Sequence, residues 1–149
     1  MSDELRPQIV VYALPDACAA LQAAAAHDLH ITLVSPAGAA AFAGPGWFRA
    51  LVAQASAAVP QADFDAILDC AGSAGLAMAA MREGVAAICF DGPADVRAKI
   101  EDMAAQSGCV VAMIDYDQAL DLDRCEDAAA ACGDWLEQYQ TGKIAENTV

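Results

Sequence analysis

The sequence predicts an α/β fold, a three-layer sandwich built on a five-stranded parallel sheet, as a single domain over residues 1–149. Two observations carry this expectation. Five short apolar runs alternate with longer alanine-rich segments of helical character. The runs are almost continuously apolar, as strands covered on both faces must be, whereas strands wetted on one face alternate with polar residues. Length narrows the choice further: 149 residues suit one core and fall short of the roughly 250 that an eight-unit barrel needs.

Taken in order, the first run is residues 8–14 (QIVVYAL), dense in β-branched side chains. Pro15 and Asp16 then stand in the capping region of a helix over residues 17–29. The second run, residues 30–35 (HITLVS), is broken by Pro36-Ala37-Gly38. A second breaker, Gly44-Pro45-Gly46, opens a helix over residues 47–58 that Val59-Pro60 ends. Residues 64–70 (FDAILDC) form the third run, followed by Gly72-Ser73 and a helix over residues 74–83 with Gly84 as its C′ residue. Residues 85–90 (VAAICF) are the fourth run, and Asp91-Gly92-Pro93 opens a helix over residues 94–106. Ser107-Gly108 stops that helix, and residues 109–114 (CVVAMI) make the fifth run. An acidic loop, a last helix over residues 125–140 and a polar tail complete the chain. Five such units suit a flavodoxin-like or short Rossmann-like sandwich.

Composition supports this plan and excludes several classes. The chain has 38 alanines, 58% apolar residues, 21 acidic against 7 basic residues, and a net charge of −14. Small contact residues let helices lie close to a sheet. A disordered polyelectrolyte would lack the apolar content, and an acidic surface repels nucleic acid and anionic membranes. The most apolar stretch, residues 17–26, is shorter than the roughly 20 residues of a membrane span. Residues 1–8 (MSDELRPQ) lack the apolar core of a secretory signal, so a cytoplasmic location is expected. The six cysteines include no CxxC pair and read as small buried hydrophobes in a reducing compartment. No clustered Cys/His spacing suggests a structural metal site, and no motif points to a particular cofactor.

Ligands of open parallel sheets bind at the carboxyl ends of the strands. That edge contains Pro15-Asp16, Ser35-Pro36-Ala37-Gly38, residues 69–75 (DCAGSAG), Asp91-Gly92-Pro93 and Asp115-Tyr116-Asp117. In the 69–75 loop, Gly72 and backbone N–H groups at a helix start could cradle an anion beside the Ser73 hydroxyl. The bland reading is a tight turn with Ser73 as N-cap. Trp47 and Arg49 follow the Gly-Pro-Gly breaker, and Arg49 is the only cation between Arg6 and Arg82. An arginine there can grip an anionic ligand in bidentate fashion; alternatively Trp47 and Phe48 cover the sheet edge or an oligomer interface, with Arg49 offsetting nearby carboxylates. Cys70 has no histidine within reach, since His27 and His30 fall at the opposite sheet edge, so an inert thiol is expected. Lys99 and Lys143 lie off the strand ends, which disfavours Schiff-base chemistry. Residues 115–126 (DYDQALDLDRCE) mimic a calcium loop, but Ala119 and Leu120 stand where a ligand and a turn glycine are required. A weak divalent-cation site shared by Asp69, Asp91 and Asp115 is left open.

Residues 64–69 (FDAILD) resemble the third strand of response-regulator receiver domains, which ends in the phosphoacceptor aspartate; Asp69 is the matching position. Of that family's other functional groups, the acidic pair is reduced to Asp16, Asp91-Gly92 replaces the Ser/Thr, and the Lys-Pro is absent. The resemblance therefore implies a degenerate, receiver-like regulatory domain. Residues 78–93 also look like helix–strand units of (β/α) barrels.

Two readings of function follow. In the first, a small anionic metabolite binds at the carboxyl edge among Ser35, Gly38, Trp47, Arg49, Gly72, Ser73 and Asp91, with Asp69 as catalytic base or hydrogen-bond acceptor. In the second, the domain is a non-catalytic homo-oligomeric or regulatory module whose apolar helix faces are covered by another subunit.

Overall fold

A computed structural model of the chain describes residues 7–148; the N-terminal segment over residues 1–6 lies outside it. Six strands are present: β1 (Gln8–Val10), β2 (Ile31–Val34), β3 (Phe64–Asp69), β4 (Ala87–Cys89), β5 (Val110–Val111) and β6 (Leu120–Asp121). They alternate with helices α1 (Leu14–Ala26), α2 (Ala39–Phe42), α3 (Pro45–Ala58), α4 (Ala74–Glu83), α5 (Ala94–Ser107) and α6 (Ala128–Thr148). The sheet runs β5-β4-β3-β2-β1-β6 with every pair parallel. The three-layer parallel α/β arrangement expected from the sequence is present, with six strands where five were expected. The additional strand, β6, is only two residues long and falls in the acidic loop, too short to register as an apolar run.

Local chemistry explains where the elements start and stop. α1 begins at Leu14, before residue 17, because the Asp16 carboxylate accepts the Tyr12 and Ala13 N–H groups at 2.9 and 3.2 Å. Those bonds turn the chain out of the sheet directly after β1. Between the two breakers the chain also forms α2, a single turn that Gly38 enters at φ +68°. α4 is capped as its sequence suggests: the Ser73 Oγ accepts the Leu76 N–H at 3.1 Å, and Gly84 closes the helix at φ +82°.

The layers are unequal. From β1 to β5 each strand is laid beside its predecessor, and right-handed crossovers in one direction put their helices on one face. The helices form the row α6–α1–α3–α4–α5. Reaching β6 reverses the direction of travel, so the same handedness sends residues 112–119 across the opposite face as a strap. Burial agrees. Ile9, Leu33 and Ala66 share one face by register and pack beneath the helices. Val10, Val34 and Ile67 share the other, in a cluster joined by Ala112, Ile114 and Ala119 of the strap and by no helical residue.

Alanine does the packing expected of it. Ala17, Ala20 and Ala24 of α1, Ala55 of α3, and Ala77 and Ala80 of α4 are fully buried; α4 buries only its two alanines, while Leu21 joins them on α1 and Phe48 and Leu51 on α3. Among the described residues no helix is long and apolar enough to cross a membrane.

Sheet pairing is incomplete at one place. Residues 64–67 of β3 pair with β2, whereas β3 pairs with β4 only at Leu68 and Asp69. The sheet therefore opens as a notch between the amino-terminal halves of β3 and β4.

Candidate functional site

At the carboxyl end of β3, Asp69 is buried, with 7% of its surface exposed, and its charge is met from three segments. One carboxylate oxygen accepts the Ala71 N–H at 2.8 Å; the other accepts the Gly38 N–H at 3.2 Å and faces the Tyr116 hydroxyl at 3.0 Å. Tyr116 also lies 2.8 Å from the Ser35 carbonyl, so its one proton is shared between two acceptors. The Ser35 Oγ accepts the Asp69 N–H at 2.9 Å and donates to the Pro36 carbonyl at 3.0 Å. Asp69 thus ties the β2–α2 turn, the β3–α4 turn and the strap together.

The neighbouring loop is held in a strained shape. Ala71 adopts φ +52°, a conformation that costs a non-glycine residue free energy unless its surroundings impose it. Its N–H is bound by Asp69, and its carbonyl accepts the Asp91 N–H at 2.7 Å. Gly72 faces the Asp91 carbonyl, which an added Cβ would approach to 3.5 Å. Gly92 has a firmer reason: a Cβ there would come within 2.3 Å of the buried Phe90 ring.

Of the residues predicted to form a site, the fold brings Ser35, Gly38 and Asp69 into direct contact and sets Gly72 and Asp91 beside them through Ala71. Ser73 serves as the cap of α4. Trp47 is partly buried between the two helix-side clusters, its ring 6.0 Å from that of Phe48. Arg49 is exposed and lies across the end of α4, its Nε 3.3 Å from the position of a Gly84 Cβ. Burial and the adjacent Asp69 push the Cys70 thiol up to about 12, in keeping with an inert side chain. Burial, with the charge of Asp69, likewise raises Tyr116 above the ordinary phenol range and keeps it a donor. Among the described residues no group of acidic, histidine or cysteine side chains could hold a metal ion, so Asp69, Asp91 and Asp115 do not form one.

The carboxyl end also holds a cation that sequence reasoning missed. Arg97 donates to the Phe90 carbonyl at 2.7 Å and pairs with Glu101 at 3.1 Å, so its charge is engaged. Its signal was weak: it stands four residues before Glu101 on α5, the spacing of an ordinary helix-surface pair.

The amino end is different. A cavity of about 1080 Å³ occupies the notch between β3 and β4. Arg49, Val52, Ala53 and Ser56 line it from one face of α3, and residues 64–67 from β3. Ala86, Ala87 and Val110 form its far side, while Gln8, Thr32 and residues 112, 113 and 115 approach from the strap face. Arg49 is the only Lys, Arg or His among the described lining residues, and among the described residues it makes no ion pair. At the same end His30 lies between two carboxylates, 3.0 Å from Asp63 and 2.9 Å from Asp65. The cavity side of α3 was legible as the Arg49-Val52-Ala53-Ser56 helical spacing, but nothing local marked the strands it faces.

No protein-family model matches the chain, and no curated protein sequence matches it.

Proposed function

We propose that this chain is a binding domain for a small anionic metabolite, and that the ligand docks in the amino-end cleft on Arg49. One observation carries the reading. In a chain of net charge −14, an exposed arginine without an ion pair among the described residues borders a largely aliphatic cavity of about 1080 Å³. A concave apolar site with few convergent polar groups is what small ligands require. Guanidinium is also the side chain best shaped for a planar anion. The carboxyl edge supports an anionic ligand less well, because Asp69 and Asp91 place negative charge there and Asp69 spends its oxygens on the fold.

The test is calorimetric titration of the full chain with octanesulfonate, a monoanion with an apolar body. Saturable binding is expected, weakened about tenfold or more in Arg49→Gln, as for loss of a charged hydrogen bond. Equal binding by both proteins would sink the assignment.

A second reading, self-association, draws on Val110 and Met113, which are 59% and 70% exposed beside the edge strand β5. Exposed apolar groups at a sheet edge favour contact with a second copy. Light scattering at low concentration decides it: a strict monomer ends that reading.

A further inference from the structure

Resting on the cleft as a ligand site, we infer that its ligand is a monocarboxylate carried on a slender aliphatic chain. Charge sets the head group. The cleft presents one cation, Arg49, and two carboxylates, Asp65 and Asp115. A dianion such as a phosphate monoester would meet two like charges for each opposite one, whereas a single carboxylate is matched by one guanidinium in bidentate geometry. An amine is disfavoured for a separate reason. Asp65 already faces His30 at 2.9 Å, and Asp115 accepts the Asp117 and Gln118 N–H groups at 3.1 and 3.3 Å. Of the three charged groups of the cleft, Arg49 is the one with neither an ion pair nor a side-chain hydrogen bond among the described residues.

Shape sets the tail. The notch exists because β3 pairs with β4 only at Leu68 and Asp69, so the space lies between two strand edges and is a slot. Its apolar walls are mostly alanine and branched aliphatic side chains, among them Ala53, Ala66, Ala87, Val52 and Ile67, with Phe64 and Met113 beside them. Such a slot favours an extended hydrocarbon chain over a broad ring system, each buried methylene contributing to binding.

The full chain is titrated with octanoate, octyl phosphate, 2-naphthoate and octanesulfonate, and the octanoate series is repeated on two variants. Octanoate is expected to bind more tightly than octyl phosphate or 2-naphthoate. Arg49→Gln is expected to weaken octanoate about tenfold to hundredfold. Ala53→Leu, a helix-compatible change at an exposed position lining the slot, is expected to abolish binding with an unaltered melting curve. Tighter binding of octyl phosphate overturns the charge argument, and equal binding of 2-naphthoate or normal binding by Ala53→Leu overturns the slot. If octanesulfonate binds through Arg49 and octanoate does not, the carboxylate assignment falls and the cleft stands. If neither anion depends on Arg49, the cleft assignment falls as well.

Discussion

At the carboxyl ends of β2 and β3, a buried carboxylate receives donors from three separate segments; at the amino ends of β3 and β4, an exposed arginine borders an open cleft. Parallel sheets usually reserve the carboxyl end for ligands, because every βα turn converges there. Here that end has a structural duty. With the helices in one row, the opposite face of the sheet is covered by the strap and Tyr12, with no helix, and the strap must be pinned. Gln8 pins it at the amino end of the sheet, its side-chain amide bonding the Met113 carbonyl at 3.0 Å and the Asp115 N–H at 2.9 Å. Tyr116 pins it at the other, on Ser35 and Asp69. Polar groups that could have lined a site are thereby consumed, and the space left for a ligand is where sheet pairing stops short.

If that contrast holds, substitutions at the two ends differ in kind. The largest effect is expected from Asp69→Ala, which strands the Gly38 and Ala71 N–H groups and the Tyr116 hydroxyl. Urea unfolding should report a loss of about 3 kcal/mol. Retained stability would mean that the carboxyl end is not built around this charge.

Alkaline pH should act next, through the thiols. Burial pushes the Cys70 and Cys132 thiols up from the ordinary value of 9.0 to about 12 in the folded chain. Their contribution is complete below about 9 and is lost as pH rises from there towards 12, because the unfolded chain ionises first. Urea midpoints at pH 7 and 10 should fall with pH, and less steeply in Cys70→Ala; identical slopes would exclude Cys70 from the effect. Tyr116→Phe, which releases the strap from the carboxyl end of the sheet, should cost about 1 kcal/mol and raise amide exchange along residues 112–119. Unchanged exchange there would show that the strap is held by its apolar contacts alone. Smallest of all, Arg49→Gln should change stability by less than about 0.5 kcal/mol, since the side chain is exposed and without an ion pair among the described residues. A large loss would make Arg49 a structural residue and erase the distinction between the ends.

Much of the architecture was legible beforehand. Alternating apolar runs marked five strands, Ser73 and Gly84 marked the ends of α4, and the alanines of α1 and α4 foretold close helix packing. β6 was not legible, because Leu120 and Asp121 carry no pattern of their own and become a strand only by pairing with Ile9 and Val10. Of the candidate site, the contact between Ser35, Gly38 and Asp69 follows from all three lying at strand ends. Tyr116 stood at the expected edge, yet nothing beside it in the chain marked Asp69 as its partner. Arg49 misled for a related reason. It lies early in a helix that leaves the carboxyl end, and its long side chain reaches the cavity at the other end.

By itself the sequence determined the class of fold, the helix caps and stops, and the small-residue faces, because periodicity and backbone preference act over a few neighbouring residues. Only the tertiary structure decided the strand order, the single row of helices, the strap and the cleft. Those depend on crossover handedness and on partners far apart in the chain, such as Tyr116 with Asp69 at a separation of 47 residues and Asp115 with Gln8 at 107. No local pattern encodes such a pairing; it forms when closure of the fold brings the two groups within hydrogen-bonding distance.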